Sequence, residues 1–319
     1  MAAGQPVLRT QGLSKTFHVS FGGRPVTALD RLDLEVHQGE VFGFLGPNGA
    51  GKTTTLNILM GLIYPSGGKA WLLDRKLGDV AIKHQIGFLP EAPYFYDYLT
   101  AEEFLRFYGQ LFGLGGRLLA ERIDELLRMV DLAAARCLQL RKFSKGMLQR
   151  IGIAQALVND PRLIILDEPM SGLDPIGRKE IRDLILHLKD SGKTIFFSSH
   201  ILHDAELLCD RVGILVKGRL IAVGRVNDLV GAASTQSIEV VVEGLDAEGL
   251  ARLGTMAEKV VAHGPRVLFI LKGQGQVNEV LDLVRARKAA LISLTPQKSS
   301  LEDLFIQEVQ EQHPGVLSQ

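Results

Sequence analysis

Cysteine is nearly absent. Cys137 and Cys209 are the only two in 319 residues, and one pair so far apart in sequence supplies neither a disulfide framework nor spaced metal ligands. Both lie in helix-like, apolar stretches, so they are expected as free core thiols in a reducing compartment. Charge of one sign is missing too: Lys+Arg and Asp+Glu number 36 each. No long-range field draws such a chain to nucleic acid or an anionic membrane. Nor is there a basic run beyond the small cluster Arg141, Lys142 and Lys145, so nucleic acid is not an expected partner. Long apolar runs are also lacking. The longest uncharged stretch, Thr53 to Gly68, is rich in Thr, Gly, Asn, Ser and Pro and falls short of the roughly 20 apolar residues that span a bilayer. Met1 to Thr10 has neither the charged start nor the apolar core of a signal peptide. The chain is not expected to enter a membrane by itself.

What is present describes a globular α/β protein. Hydrophobic residues make up 46% and charged ones 23% of the 319, a length that suits about two domains. Leu8 to Thr16 and Leu32 to Val36 alternate apolar and polar residues like half-buried strands, around a turn with Gly22, Gly23 and Pro25. A largely helical stretch, about 96–160, has 3-to-4 apolar spacing at Phe104, Phe107, Leu111, Leu126, Leu127 and Val130. Strands at Arg162 to Leu166 and Thr194 to Ser198 flank a helix from Ile176 to Leu188, the β-α-β pattern of a parallel sheet. Residues 1–230 thus read as one domain. A small-residue linker, Gly231 to Thr235, leads to a second over 237–319, whose strands and helices alternate as β-α-β-β-α-β, the order of a ferredoxin-like fold. Ser299 and Glu302 are expected to form a capping box for a last helix.

The most specific motif is Gly46-Pro47-Asn48-Gly49-Ala50-Gly51-Lys52-Thr53, followed by Thr54. It comes after the apolar run Val41 to Leu45 and before a helical pattern, the context in which a P-loop holds nucleotide phosphates. Small residues let successive N–H groups turn inward, and the helix start adds a positive dipole end. Lys52 is expected to neutralise phosphate charge, and the Thr53 hydroxyl to ligate Mg²⁺. Downstream, Leu163-Ile164-Ile165-Leu166 ends in Asp167-Glu168. Two adjacent acids at the end of a buried strand need a cation to offset them. Strand alternation would send Asp167 toward the metal and Glu168 toward an attacking water, as general base.

Further segments make residues 8–229 resemble the ATP-binding subunit of an ABC transporter. Phe143-Ser144-Lys145-Gly146-Met147-Leu148-Gln149 is similar to the family's signature segment, more often Leu-Ser-Gly-Gly-Gln. Ser171-Gly172-Leu173-Asp174 matches the segment that crosses its dimer interface, and His200, after Phe196-Phe197-Ser198-Ser199, its γ-phosphate-sensing histidine. Glu91, in Gly87-Phe88-Leu89-Pro90-Glu91, stands where most members have Gln. The resemblance implies the ABC cassette, a P-loop NTPase fold with a mixed sheet and a helical subdomain. It implies ATP and Mg²⁺ as cofactors and hydrolysis assisted by Glu168, His200 and Lys52. Thr53, Asp167 and Glu91 would face the metal. Ser144, Gly146 and Asp174 would reach nucleotide across a dimer of two copies, and Phe17 would stack on adenine, with Phe21 as its rival. It also implies a separate membrane permease and a peripheral place on the cytoplasmic face of the cell membrane. The aromatic run Pro93-Tyr94-Phe95-Tyr96-Asp97-Tyr98 is expected either at the permease contact or packed within the helical subdomain. Pro296 to Phe305 resembles the C-terminal extension of the type-two exporter branch. The alternative is a soluble ABC-type ATPase acting on a macromolecular machine. Such ATPases usually carry two cassettes or a long coiled-coil insertion, and this chain has neither.

Overall fold

Alternating residues of β1 (Pro6–Phe17) and β2 (Val26–His37) form a long antiparallel pair that buries Leu8, Leu29, Leu32 and Val36. The computed structural model describes residues 5–18, 24–232, 237–272, 276–297 and 300–312. Phe21, Gly22, Gly23 and Ser299 therefore lie outside the described residues. Next come β3 (Val41–Leu45), α1 (Lys52–Leu59), β4 (Gly67–Leu72), β5 (Arg75–Lys76) and β6 (Ile86–Leu89). The helical stretch resolves into α2 (Ala101–Leu111), α3 (Gly116–Met129) and α4 (Lys145–Ala156). Helix α2 starts at a full capping box of Thr100 and Glu103. Then follow β7 (Leu163–Leu166), α5 (Pro175–Asp190), β8 (Thr194–Ser199), α6 (Leu202–Leu208), β9 (Arg211–Val216), β10 (Arg219–Arg225) and α7 (Val226–Ala232).

Two sheets organise this part. β2-β1-β4-β5 is four-stranded, and β10-β9-β3-β8-β7-β6 is six-stranded and mixed. In the second, β9, β3, β8, β7 and β6 run parallel, and only β10 turns back against β9. Strands buried on both faces need continuous apolar runs. β3 and β7 supply them without an exposed residue, and Phe42, Phe44 and Phe196 stack at 5.5–5.8 Å between ring centres. All five parallel strands end on the same edge, where an open α/β sheet gathers its ligands.

The described residues fall into two compact units, one through Val226 and one from Asn227. The second contains β11 (Ser237–Glu243), α8 (Ala247–Met256), β12 (Ala257–His263), β13 (Arg266–Lys272), α9 (Val277–Ala286), β14 (Ala290–Gln297) and α10 (Leu301–Gln312). Its sheet order, β12-β13-β11-β14, is antiparallel throughout. That is the split β-α-β arrangement, with its own core around Val240, Val242, Leu253, Phe269 and Val280.

Local expectations shift in several places. Gly231 and Ala232 close α7 rather than open a linker. The cap of α10 moves one residue on. Ser300 Oγ accepts from Asp303 N at 3.1 Å, and Asp303 Oδ2 accepts from Ser300 N at 2.9 Å. Cys137 is not a core thiol: it sits exposed in a turn, whereas Cys209, just after α6, is desolvated and its thiol pKa is pushed well up by burial. The aromatic run divides. Phe95 and Tyr96 pack on Phe104 and Phe107 at 5.4–5.5 Å, while Tyr94 and Tyr98 remain 81% and 61% exposed.

Candidate functional site

The loop between β3 and α1 is pinned from both sides. Gly46 N donates to Ser199 O at 3.2 Å, and Gly218 N donates to Ala50 O at 2.8 Å. Glycine is required by close approach. A Cβ on Gly46 would lie 2.2 Å from Leu215 O, and one on Gly51 would lie 2.3 Å from Ala28 O. Gly51 also has φ +108°, outside the range L side chains adopt readily. Helix α1 begins without a side-chain cap. Its first N–H groups and its dipole end therefore face the loop, as an anion site needs. A cleft of about 290 Å³ opens there, lined by Asn48 to Thr54, Ala28, Glu91 and Glu168.

Lys52 is 6% exposed, an unusual place for an ammonium group. It is held by Gly46 O at 2.7 Å and Pro47 O at 3.2 Å, and it pairs with Glu168 Oε1 at 3.2 Å. Glu168 is itself buried, and His200 Nδ1 lies 2.8 Å from its Oε2. Oε1 makes no hydrogen bond, its contact with Lys52 being an ion pair without hydrogen-bond geometry. Asp167 is buried beside it, and this desolvation holds its carboxyl pKa above the usual value. Hydrogen bonds from Ser198 and Thr53 act in the opposite direction.

The alternation argument for the two acids does not hold. β7 ends at Leu166, and Glu168 takes a left-handed backbone with φ +50°. The side chains are aimed by a turn, not by a pleat. That turn is fastened by Ser198, a residue whose role pattern reading misses. Its hydroxyl donates to Asp167 Oδ1 at 2.5 Å and accepts from Glu168 N at 2.9 Å. The only sequence signal for it is a hydroxyl directly after the apolar run Ile195-Phe196-Phe197.

The structure therefore brings together Gly46 to Thr54, Asp167, Glu168, His200 and Glu91. It places the other site candidates elsewhere within one chain. Ser144 caps α4, accepting from Met147 N at 3.3 Å, with Gly146 in the first turn. Asp174 caps α5, accepting from Gly177 N at 2.7 Å. Neither segment lines the cleft. Lys145 Nζ reaches the Ser171 to Asp174 segment, lying 2.0 Å from where a Gly172 Cβ would stand. Phe17 is 41% exposed at the end of β1, with Lys15 Nζ 5.0 Å from its ring centre, and does not line the cleft either.

The family model described as ABC transporter matches residues 29–171. An uncharacterised ABC transporter ATP-binding protein of Synechocystis is 46% identical over 96% of this chain and 85% of its own length. A fluoroquinolones export ATP-binding protein of Mycobacterium tuberculosis is 35% identical over 95% of this chain and 93% of its own. Among solved structures, the dimeric post-hydrolysis state of an ATP-binding cassette bound to ADP and Pi superposes with TM-score 0.63 at 26% identity, over 68% of this chain and 98% of that one. With its P-loop cleft, buried acid pair and mixed sheet, the chain belongs to the ABC transporter ATP-binding family and is an ATPase, the nucleotide-hydrolysing motor subunit of such a transporter.

Proposed function

We propose that this chain drives a separate membrane permease in the export direction, working as a pair of identical cassettes with ATP between them. The observation that carries the export reading is likeness to the fluoroquinolones export protein over 95% of this chain, a span that takes in the unit beyond Val226. No helix among the described residues is long and apolar enough to cross a membrane. The translocation path then belongs to a partner, and the chain sits against the membrane's cytoplasmic face. Tyr94 and Tyr98, large and exposed, are suited to contact that partner.

The residues take these roles. The loop from Gly46 to Thr54 cradles the phosphates, and Lys52 offsets their charge. Glu168 accepts a proton from the attacking water, while His200 holds its Oε2. Hard oxygen donors around the cleft suit Mg²⁺: the Thr53 hydroxyl, the Asp167 carboxylate and the Glu91 carboxylate. Among the described residues no cluster of three or more His, Cys, Asp or Glu forms a complete cage. That fits Mg²⁺, which commonly takes phosphate oxygens and water beside one or two carboxylates. When bound, it supplies charge that stabilises the phosphoryl oxygens. Ser144, Gly146 and Asp174, outside the chain's own cleft, are positioned to serve the nucleotide of a second copy. The dimeric solved relative supports that division. Phosphate loss then removes the charge between the halves, and they separate.

The test is reconstitution with the membrane protein encoded beside it, measuring Mg-ATP hydrolysis and efflux together, with Glu168→Gln as control. Assembly with coupled efflux supports the reading. Hydrolysis that ignores every membrane partner would put the soluble-machine alternative first.

A further inference from the structure

The end of β8 and the residue that follows it act as a fixture for the site. Ser199 O receives Gly46 N at 3.2 Å, and His200 meets Glu168 at 2.8 Å. Ser198 directly precedes both in the chain and is wholly buried. A hydroxyl in an apolar strand costs free energy unless its hydrogen-bonding capacity is used. Here both functions are used, and both on the acid pair. As donor it takes Asp167 Oδ1 at 2.5 Å, and as acceptor it takes Glu168 N at 2.9 Å.

The second bond explains the backbone at Glu168. Asp167 N is the last to reach a neighbouring strand, donating to Leu89 O at 2.8 Å. One residue later the chain turns left-handed, at φ +50°. A non-glycine residue persists there only when its surroundings determine it. Ser198 gives that N–H its partner.

We propose that Ser198 is a positioning residue for hydrolysis: one hydroxyl sets the Asp167 carboxylate and the Glu168 backbone as a single unit. Its hydroxyl bonds the two acids, and it acts through them. The proposal rests on the roles given to those acids above.

The experiment compares Ser198→Ala, Ser198→Thr and Glu168→Gln with the native chain. Kinetics, Mg²⁺ titration, equilibrium binding of a fluorescent ATP analogue and thermal melting are measured for each. Alanine removes only Oγ and adds no bulk. We expect Ser198→Ala to lower kcat about 10- to 100-fold, as loss of groups that orient metal ligands commonly does. The Mg²⁺ concentration for half-maximal rate should rise, while the analogue Kd stays within about twofold, because the phosphate cradle is untouched. Ser198→Thr, which keeps the hydroxyl, should recover most of kcat.

Two results would overturn the proposal. One is native kcat and Mg²⁺ dependence in Ser198→Ala. The other is a loss that threonine does not repair and that follows melting temperature, because Ser198 would then serve packing alone. If Glu168→Gln turns over at the native rate, the assignment of the acids has failed instead.

Discussion

Lys52 Nζ stands 3.2 Å from Glu168 Oε1, and both side chains are 6% exposed. The phosphate-binding lysine and the proposed base are thus one buried ion pair. Breaking such a pair from one side leaves an uncompensated charge. The two sides are not equivalent for function.

Glu168→Gln keeps the shape and removes the proton acceptor. Turnover should fall by roughly 10²- to 10⁴-fold, the usual contribution of a positioned base. Nucleotide affinity should hold or tighten, because Lys52 loses its competing carboxylate. Phosphate release and equilibrium binding, measured on one preparation, check both halves.

Lys52→Ala does the reverse. Glu168 is left buried without its cation, and the phosphates lose theirs. ATP affinity should weaken by at least about tenfold, since a charge-assisted contact is worth about 1.5–3 kcal/mol. The apo protein should also melt lower. An affinity equal to the native one would remove Lys52 from the cradle.

Gly51→Ala tests the loop itself. The new methyl would lie 2.3 Å from Ala28 O, at φ +108°. Backbone must move, at a cost on the order of 2 kcal/mol or more. Both melting temperature and nucleotide binding should drop. Gly49→Ala makes a useful contrast. It shares a positive φ of +77° but has open space around the new methyl, so it should be the milder change.

Glu102 offers a pH test away from the cleft. Hydrogen bonds from Arg136 and then Arg106 lower its pKa from 4.5 to about 2. A depressed carboxyl contributes stability that is complete above the unfolded pKa and is lost as pH falls through the folded one. Glu102→Gln should therefore lower the melting temperature at neutral pH. The gap from the native protein should close between pH 4.5 and about 2. A constant gap across that window would show that packing, not charge, is lost.

Asp174 carries a local duty and a proposed distant one. Asp174→Ala should cost about 1 kcal/mol through loss of the α5 cap. Asp174→Asn keeps a capping oxygen and should restore the melting temperature. If the charge serves the partner's nucleotide, Asn will not restore turnover. Full recovery of turnover with Asn would leave only the cap.

The readable features of this chain are those with short-range causes. The glycine-rich loop and the apolar runs of β3 and β7 follow from neighbours within a few residues. What escapes is set by contacts across the sheet. The turn at Glu168 depends on Ser198, 30 residues on, and alternation along one strand does not register it. The glycines at 46 and 51 are required by the carbonyls of Leu215 and Ala28, which belong to other strands. The aromatic run at 94–98 divides because Phe104 and Phe107 of α2 receive only some of its rings. Its spacing alone left both outcomes open.

The parallel pairing of β7, β8 and β3 has a consequence for how this protein tolerates change. Leu166 lies opposite Phe197, and Phe44 opposite Ser198. Deleting one residue between Ile195 and Phe197 would put Ser199 in the place of Ser198, and would move His200 one step from Glu168. Such a deletion would leave most of the apolar run to pair as before, so the sheet would still assemble. The catalytic count would be wrong while the fold stayed right. Length differences are therefore expected in connections such as the one between α2 and α3, and not within the strands that bring the loop, the acids and the histidine to one edge.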